Sequence, residues 1–440
     1  MPDQAAGRRL LLSLFLIAIF NAMDRQILVV LLEPIRLEFG ASDAAMGLLT
    51  GFAFVLFYSL STLPIARLAD LRPRRTIILV GLSCWSAMTA VCGVAGSFWQ
   101  LALSRVGVGV GEAAFLPAGM SMISDRFPQE RRPVAMAMLM LAFPMGIMIS
   151  FVVGGRLGEA IGWRMTMVLL GGVGLMLALL LRTSLVEPAR GLADEETGDR
   201  ELYGVGETIR YLVGLSSLRN VAAGAAIAFF AGNSVAVWSP AFLMRVHGLD
   251  LAATGIWLGP AMGVGGISGV LVGGFVAQRM ARRDIRWLTW APALAQILFV
   301  PASLLLLTQP TVPASIPGFV GTAFCSSAMM APSMTVVQGL AKLRMRALAA
   351  AVVSMTINLA GIGLGPLVAG VLSDALRPRF GEESIRYALL VTALASLWAA
   401  AHFVLAGRRL RQELEGARTD LEPFSGPAAR AAAPSTARRT

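Results

Sequence analysis

The stretch ARLADLRPRR, residues 66–75, decides the predicted fold, because a degenerate copy of it, GFVAQRMARR, recurs at residues 274–283. Both stretches follow a long apolar run, and both end in a pair of arginines. Four further matches recur at an offset of 215 residues: Pro117 with Pro332, Arg131 with Arg346, Gly146 with Gly361 and Gly155 with Gly370. Self-similarity over a long period is the sequence signature of a repeated structural unit. The chain is therefore predicted to consist of two related halves.

The composition indicates a membrane protein. Apolar residues make up 56% of the 440 residues and charged residues 14%, against about 45–50% and 25% in an ordinary soluble domain. The mean hydropathy is +0.71. The net charge of +11 could suggest a nucleic-acid-binding protein, but arginines beside the cytoplasmic face of a membrane also produce a basic excess. We therefore exclude a soluble enzyme and expect no nucleic-acid partner.

Twelve apolar segments are long enough to cross a bilayer, because a helix needs about 20 residues to span the hydrocarbon core. Their predicted limits are 10–32, 45–67, 76–95, 98–123, 134–158, 164–182, 219–243, 253–278, 287–308, 313–340, 347–375 and 386–406. The fold is thus predicted to be all-α and integral to the membrane, with twelve transmembrane helices in two pseudo-symmetric six-helix bundles. The predicted domains are a first bundle over residues 1–182, a cytoplasmic linker over 183–218, a second bundle over 219–406 and a disordered cytoplasmic tail over 407–440.

The predicted orientation follows from the distribution of basic residues. With both termini inside, 28 of the 37 lysines and arginines lie in cytoplasmic segments and 7 lie in outside segments. Lysine and arginine accumulate on the cytoplasmic side of membrane proteins. We therefore predict a multi-pass protein of the cell (inner) membrane with both termini in the cytoplasm, and we expect a monomer surrounded by membrane lipids.

Ionisable residues lie within two of the predicted spans. Span 1 contains Asn21, Asp24 and Arg25, and span 4 contains Arg105 and Glu112. A charge at membrane depth costs about 2.5–3.5 kcal/mol on insertion scales and usually marks an ion or substrate pathway. At about 1.5 Å per residue, Asp24 and Glu112 lie roughly 21 and 17 Å from the cytoplasmic ends of their spans. The two carboxylates are therefore expected to share one layer of the membrane.

We predict that Asp24 and Glu112 bind a proton whose movement along this pathway is coupled to that of a substrate. Arg25, Arg105 and Asn21 are predicted to pair with these charges or with the substrate. Carboxylates whose arginine partners move can gain and lose a proton as the conformation changes. The alternative is a buried salt-bridge cluster that only pins helices 1 and 4 together. The two histidines and three cysteines show no metal-binding spacing, so protons are the expected coupling ion and neither a cofactor nor a metal is expected.

Glycine and proline residues recur in spans 4, 5 and 11. The candidate hinge or packing residues are Gly107, Gly109, Gly111, Pro144, Gly146, Gly365 and Pro366. Small residues permit either a bend or a close approach of helices, and both interpretations stay open. Asn233 and Ser234 in span 7 are candidate polar contacts of the substrate from the second half. Aromatic residues in span 2 and methionines in span 5 suit a variable apolar chain, so a small amphipathic or anionic substrate is expected.

The loop at residues 66–75 resembles the signature between helices 2 and 3 of the major facilitator superfamily. Asp70, Arg74 and Arg75 match that signature, whereas two of its glycines are replaced. The resemblance implies a latch in which Asp70 interacts with an arginine and with the positive N-terminus of helix 11 in the other half. Asp125, at the cytoplasmic end of span 4, is expected to join this network. These four residues are the candidate gate.

Four further stretches resemble the Spinster branch of that superfamily: NAMDR at 21–25, GVGEA at 109–113, EPARG at 187–191 and WSPAFL at 238–243. The resemblance implies a proton-coupled secondary transporter, a symporter or an antiporter, that works by alternating access and moves a lysophospholipid or a sphingoid phosphate. The alternative within the superfamily is an organic anion/proton symporter or a drug exporter. A non-transporting receptor or a membrane enzyme is a remote alternative, because the loops carry no paired-acid or histidine-rich catalytic pattern.

Overall fold

The computed structural model describes residues 2–128, 130–189, 205–342 and 345–419, which fold into long apolar helices. Ten continuous helical stretches in the described chain are long and apolar enough to cross a membrane. Two of them, of 51 and 69 residues, are far longer than the roughly 20 residues that one crossing needs. Each is divided by a glycine with a positive φ, Gly162 (φ 77°) in the first and Gly381 (φ 55°) in the second. The described chain therefore makes the twelve predicted crossings, labelled α1 to α12.

Each half contains six crossings. In the first half, α1 is Pro2–Val30 and α3 is Arg74–Gly93. α2 consists of Asp43–Gly47, Leu48–Ala53 and Phe54–Leu71, and α4 consists of Phe98–Glu112 and Phe115–Arg126. α5 and α6 are the parts of Arg132–Ser184 before and after Gly162. In the second half, α7 is Ser216–His247, α8 is Leu251–Ala281, α9 is Trp287–Thr308, α10 joins Val312–Ala328 and Met330–Leu340, α11 joins Arg346–Thr356, Ile357–Gly363 and Leu364–Phe380, and α12 is Ser384–Thr419. Two shorter helices, Leu32–Phe39 and Val205–Gly214, follow α1 and precede α7.

Glycines set the distance between helices inside each half. A Cβ atom at Gly111 would lie 2.7 Å from a backbone nitrogen of α3, and one at Gly146 would lie 2.5 Å from a carbonyl oxygen of α1. A Cβ atom at Gly365 would lie 2.6 Å from a carbonyl oxygen of α7. Gly107 lies against Met88 and Gly109 against Phe54, also inside the first half, whereas Pro144 beside Gly266 and Pro366 against Gly47 lie at contacts between the halves. Helices approach this closely only where no side chain intervenes, so all of these are packing positions. Their role as hinges stays a prediction.

Two π-helical segments meet where the halves touch. They are Leu48–Ala53 in α2 and Ile357–Gly363 in α11. A Cβ atom at Gly51 would lie 2.5 Å from the carbonyl oxygen of Gly363, so the two backbones are in direct contact. α5 and α8 form a second contact between the halves, where Gly255 lies against the backbone of Phe151. Because π segments are rare and often mark functional positions, the α2–α11 contact is relevant to the site described below.

The structure corrects the predicted start of the tail at residue 407, because α12 continues as a helix to Thr419. Leu410 is fully buried on this extension. Glu413 accepts hydrogen bonds from the backbone N–H groups of Ser216 and Ser217 (2.9 and 3.0 Å) and so caps the N-terminus of α7. Hydropathy alone could not find this extension, because its surface is charged. Residues 190–204 of the predicted linker and residues 420–440 of the predicted tail lie outside the described residues.

Candidate functional site

A buried charged cluster joins α1, α3 and α4. Arg25 donates two hydrogen bonds to Oε2 of Glu112 (3.1 and 2.7 Å). Asp24 accepts a hydrogen bond from the Thr89 hydroxyl at its Oδ2 atom (2.8 Å), and Nη1 of Arg105 lies 3.9 Å from the same oxygen. The four charges that the sequence singles out therefore form two ion pairs between α1 and α4, Arg25 with Glu112 and Asp24 with Arg105.

This cluster has unmet hydrogen-bonding capacity. The side chains of Asp24 and Glu112 are fully buried, and that of Arg105 is nearly so. Five buried atoms have no hydrogen-bond partner among the described residues: Asn21 Nδ2, Asp24 Oδ1, Arg105 Nε, Arg105 Nη1 and Glu112 Oε1. An unpaired buried polar group costs about 1–3 kcal/mol, and most are paired in folded proteins. A group that supplies the missing hydrogen bonds would therefore be bound favourably here.

Two aromatic rings of α2 lie beside the arginines. The guanidinium carbon of Arg25 is 5.1 Å from the ring centre of Phe54 and 4.9 Å from that of Tyr58. The guanidinium carbon of Arg105 is 5.2 Å from the Phe54 ring. At these distances the ring faces attract the cations. The side chain of Arg25 is still 34% exposed, so it is the most accessible of the four charged groups.

The two candidate residues in α7 bond to their own helix. Nδ2 of Asn233 donates to the carbonyl oxygen of Phe229 (3.1 Å), and the Ser234 hydroxyl donates to that of Phe230 (2.8 Å). Ser234 is fully buried, whereas Asn233 is half-buried. These hydrogen bonds do not reach the charged cluster, so a contact between these residues and a substrate stays a prediction.

The two halves are joined by a second charged cluster at one end of the molecule. We call the side with the arginine-bearing loops after α2, α4 and α8 the basic side; this cluster lies on the opposite side. Arg245 of α7 donates to Glu33 (2.9 and 2.5 Å) and to Asp43 (2.7 and 2.8 Å). Asp43 also accepts from the Ser373 hydroxyl (2.7 Å), and its backbone N–H donates to Asp374 (3.0 Å). These five residues form the opposite-side lock, which joins the two halves on that side.

The Glu33 carboxylate of the lock retains its charge in mild acid. Burial raises the pKa of the Glu33 carboxyl group, but hydrogen bonds from Arg36 and Arg245 outweigh burial and hold that pKa below its ordinary value of 4.5. A carboxyl group with a lowered pKa contributes stability that is present above its ordinary pKa and is lost only as the pH falls through the lowered value. Mild acidification should therefore not open the lock.

We expect the lock to stay closed between about pH 8 and pH 5 once the candidate proton-binding groups are neutralised, because Glu33 remains ionised over that range. The measurement is the labelling rate of a cysteine placed at Ala369, which is buried beside the lock, in the double variant Asp24→Asn/Glu112→Gln without the native cysteines. Adding Glu33→Gln should speed labelling at every pH and serves as the control. Labelling that accelerates between pH 6 and pH 5 without that change would contradict the expectation.

On the basic side, Arg74 connects α3 with α4 and with the segment after α6. It donates to Glu187 (2.9 Å) and to Asp125. The backbone N–H of Arg75 also donates to Glu187 (2.6 Å). These contacts lie within the first half. The side chain of Asp70 lies outside the described residues, so the latch across the halves stays a prediction.

Neither the lock nor the hydroxyl partner of Asp24 was predicted from the sequence. Glu33, Asp43 and Arg245 lie at helix ends, where charges are ordinary, and their meeting depends on how the halves pack. Thr89 is a neutral residue in an apolar span and gave no signal. Among the described residues, no group of three His, Cys, Asp or Glu side chains is placed to hold a metal ion.

Most of the chain is similar to known carriers of one family. Residues 14–295 match the family model described as Major Facilitator Superfamily. An MFS-type efflux pump of Mycolicibacterium smegmatis is 33% identical over 407 residues, covering 92% of this chain and 94% of that protein. A probable L-galactonate transporter of Escherichia coli is 29% identical over 287 residues, or 62% of each chain. The sphingosine-1-phosphate transporter SPNS2 of Danio rerio is 25% identical over 395 residues, covering 83% of this chain and 76% of that protein.

A solved structure agrees with the fold. The crystal structure of a bacterial homologue of the human lysosomal transporter Spinster, in an inward-facing and unoccupied conformation, superimposes with a TM-score of 0.85. The two sequences are 28% identical, and the match covers 93% of this chain and 98% of the other.

Proposed function

The chain belongs to the Major Facilitator Superfamily and is a Spinster-like multi-pass membrane transporter rather than an enzyme, and we propose that it couples proton movement to the transport of an amphipathic anion. The observation that carries this proposal is the buried pair of carboxylates, Asp24 and Glu112. Each has an arginine partner on the neighbouring helix and one oxygen without a hydrogen-bond partner. The coupling ion is the proton, and no other cofactor is needed.

In the proposed mechanism, the anionic group of the substrate replaces the Glu112 carboxylate as the partner of Arg25. In the structure its guanidinium group is held by Glu112 and is partly exposed. Protonation of Glu112 would remove the negative charge that holds Arg25, and the guanidinium would then be free to bind an anion. Conversely, an anion bound to Arg25 would leave Glu112 without its ion pair and favour its protonation. Binding of the proton and of the anionic group would thus favour each other, which is the requirement for coupling.

The proposed substrate is a lysophospholipid or a sphingoid phosphate. The planar guanidinium group of Arg25 can bind two oxygens of a phosphate or carboxylate group. Similarity to SPNS2, a sphingosine-1-phosphate transporter, supports a lipid phosphate. Two alternatives have support from other relatives: an organic anion as substrate, from the probable L-galactonate transporter, and an exporter, from the MFS-type efflux pump.

We further propose that the basic side faces the cytoplasm, that the protein lies in the inner membrane with both termini in the cytoplasm, and that it acts as a monomer. The distribution of lysine and arginine supports this orientation. With the opposite-side lock closed, the structure then corresponds to an inward-facing state of the alternating-access cycle. In the outward-facing state the lock would open, and the latch formed by Asp70, Arg74, Arg75 and Asp125 would hold the halves together on the basic side.

Two substitutions should shift the conformational equilibrium in opposite directions. Arg245→Ala removes the centre of the lock and should favour the outward-open state, whereas Asp70→Asn weakens the latch and should favour the inward-open state. A change of about 2 kcal/mol in the free energy that either contact contributes would alter the ratio of the two states roughly 30-fold. The measurement is the distance between spin labels across each side of the protein. Equal distance distributions in Asp70→Asn and in the unaltered protein would reject the latch, and a closed opposite side in Arg245→Ala would reject the lock.

The function itself is tested by uptake into proteoliposomes. A proton gradient should drive uptake of a lysolipid or lipid phosphate, and the same substrate should move protons when added without a gradient. A receptor or an enzyme would move neither. A protein that transports substrate at the same rate with and without a proton gradient would overturn the proposed coupling.

A further inference from the structure

Phe54 is the side chain that both arginines of the charged cluster share. Its ring centre lies 5.1 Å from the guanidinium carbon of Arg25 and 5.2 Å from that of Arg105. Phe54 is almost fully buried. Two cations of like charge would repel each other, and an aromatic ring that attracts both reduces the cost of placing them side by side. The ring thereby holds Arg25 near Glu112 and Arg105 near Asp24.

Gly109 makes room for this ring. A Cβ atom at Gly109 would lie 3.1 Å from the carbonyl oxygen of Phe54 and 3.4 Å from Cδ2 of its ring. The bare surface of α4 at this glycine therefore lets α2 approach closely enough for the ring to reach both guanidinium groups. The packing explains one of the three glycines that precede Glu112 in α4.

Phe54 also lies next to the contact between the halves. It follows the π-helical segment Leu48–Ala53 directly, and Gly51 in that segment contacts the backbone of Gly363 in the other half. A shift of α2 against α11 would therefore carry the Phe54 ring with it, and a movement of the two guanidinium groups would press on the same helix. One residue thus connects the ion pairs with the surface at which the halves separate.

We propose that Phe54 is a positioning residue that couples the state of the ion pairs to the separation of the two halves, by holding Arg25 and Arg105 on one ring and transmitting their movement through the π segment of α2 to α11. This inference rests on the proposed function, because it assigns a transmission path to the proposed proton coupling. The titratable or charged groups around the two carboxylates are Arg25 on α1, Arg105 on α4, Tyr58 on α2 and Cys92 on α3.

The test measures how far the opposite side opens when the pH is changed. Spin labels across the opposite side report the ratio of open to closed protein at two pH values, in the unaltered chain and in Phe54→Leu, which keeps an apolar side chain and removes the ring. We expect the pH-dependent change in that ratio to fall about tenfold in Phe54→Leu. Phe54→Tyr keeps an aromatic face and should restore the full change. Leu60→Ala is the control on the same helix, because Leu60 is exposed, and it should respond like the unaltered chain.

The outcomes separate this inference from the proposed function. If the unaltered chain shows no pH-dependent change, the proton coupling itself fails. If the unaltered chain responds and Phe54→Leu responds equally, or if Phe54→Tyr is as defective as Phe54→Leu, the inference about Phe54 is overturned. Should Phe54→Leu fail to fold, Gly109→Ala replaces it, because the added methyl group would lie 3.1 Å from the carbonyl oxygen of Phe54 and so displace this part of α2, and the ring with it, by a few tenths of an ångström. That variant should lose about half of the response, and an undiminished response would overturn the inference.

Discussion

Asp24→Asn and Glu112→Gln are each expected to lower proton-driven uptake by about a hundredfold, near the upper end of typical coupling between two binding events. The substituted amides keep the shape of the carboxylates. An amide oxygen can still accept a hydrogen bond from Thr89 at position 24 or from Arg25 at position 112, so the local geometry should survive. What is lost is the ability to bind a proton and to change charge.

Exchange of labelled for unlabelled substrate provides the internal comparison for these variants. Exchange requires binding and the conformational change but no net movement of protons, so it should fall much less than gradient-driven uptake. Glu415→Gln, an exposed carboxylate near the end of α12, is the matched control and should leave both activities unchanged. Proton-driven uptake at the original rate in both Asp24→Asn and Glu112→Gln would disprove their assignment as proton-binding groups.

Affinity should rise steeply with the length of the acyl chain of the substrate. Burial of each methylene group contributes about 0.8 kcal/mol, so two added carbons should lower the dissociation constant roughly tenfold. This gain should continue until the chain covers the apolar surface that the aromatic residues of α2 and the methionines of α5 are expected to provide. The measurement is binding in lipid nanodiscs to lysophospholipids of increasing chain length. The head group alone, as glycerophosphate, should bind weakly because it gains only the contact with Arg25.

The affinity for glucuronate distinguishes a lipid substrate from the main alternative, an organic anion. An organic anion symporter would recognise the carboxylate and hydroxyl groups of a sugar acid and would gain nothing from an acyl chain. Equal affinity for glycerophosphate, glucuronate and a long-chain lysophospholipid would reject the lipid substrate and favour an organic anion. The variant Arg25→Gln should weaken the binding of every anion, so it reports on the head-group contact independently of the acyl chain.

The number of crossings and the pairing of α1 with α4 could be predicted because each depends on local composition. Twenty apolar residues predict a helix wherever they occur, and a charge among them must find a partner on a neighbouring helix. The identity of the partners could not be predicted. Depth alone placed Asp24 beside Glu112, whereas the structure pairs Asp24 with Arg105 and Glu112 with Arg25, because the pairing depends on how α1 and α4 are rotated about their axes.

Features that require two distant segments were not predictable from one sequence. The lock brings together residues from the short helix after α1 and from α2, α7 and α11, and none of them is unusual where it stands in the chain. The π segments also have no recognised sequence pattern, although both contain a glycine at the point of contact. The extension of α12 escaped prediction for a different reason: a buried leucine and a capping glutamate hold a surface helix whose composition resembles a tail.

The turn at Gly162 has a consequence for the biogenesis of the protein. α5 and α6 are connected by this single non-helical residue, so neither helix can enter the bilayer without the other. The two helices must therefore be inserted together as a hairpin. In the proposed orientation Arg164, just after the turn, is carried across the membrane, which would be costly for an unpaired charge, and it forms an ion pair with Glu38 (2.7 Å). Glu38 is synthesised earlier and follows α1. In that orientation it already lies on the same side of the membrane as Arg164 when the hairpin is inserted, and the two can pair.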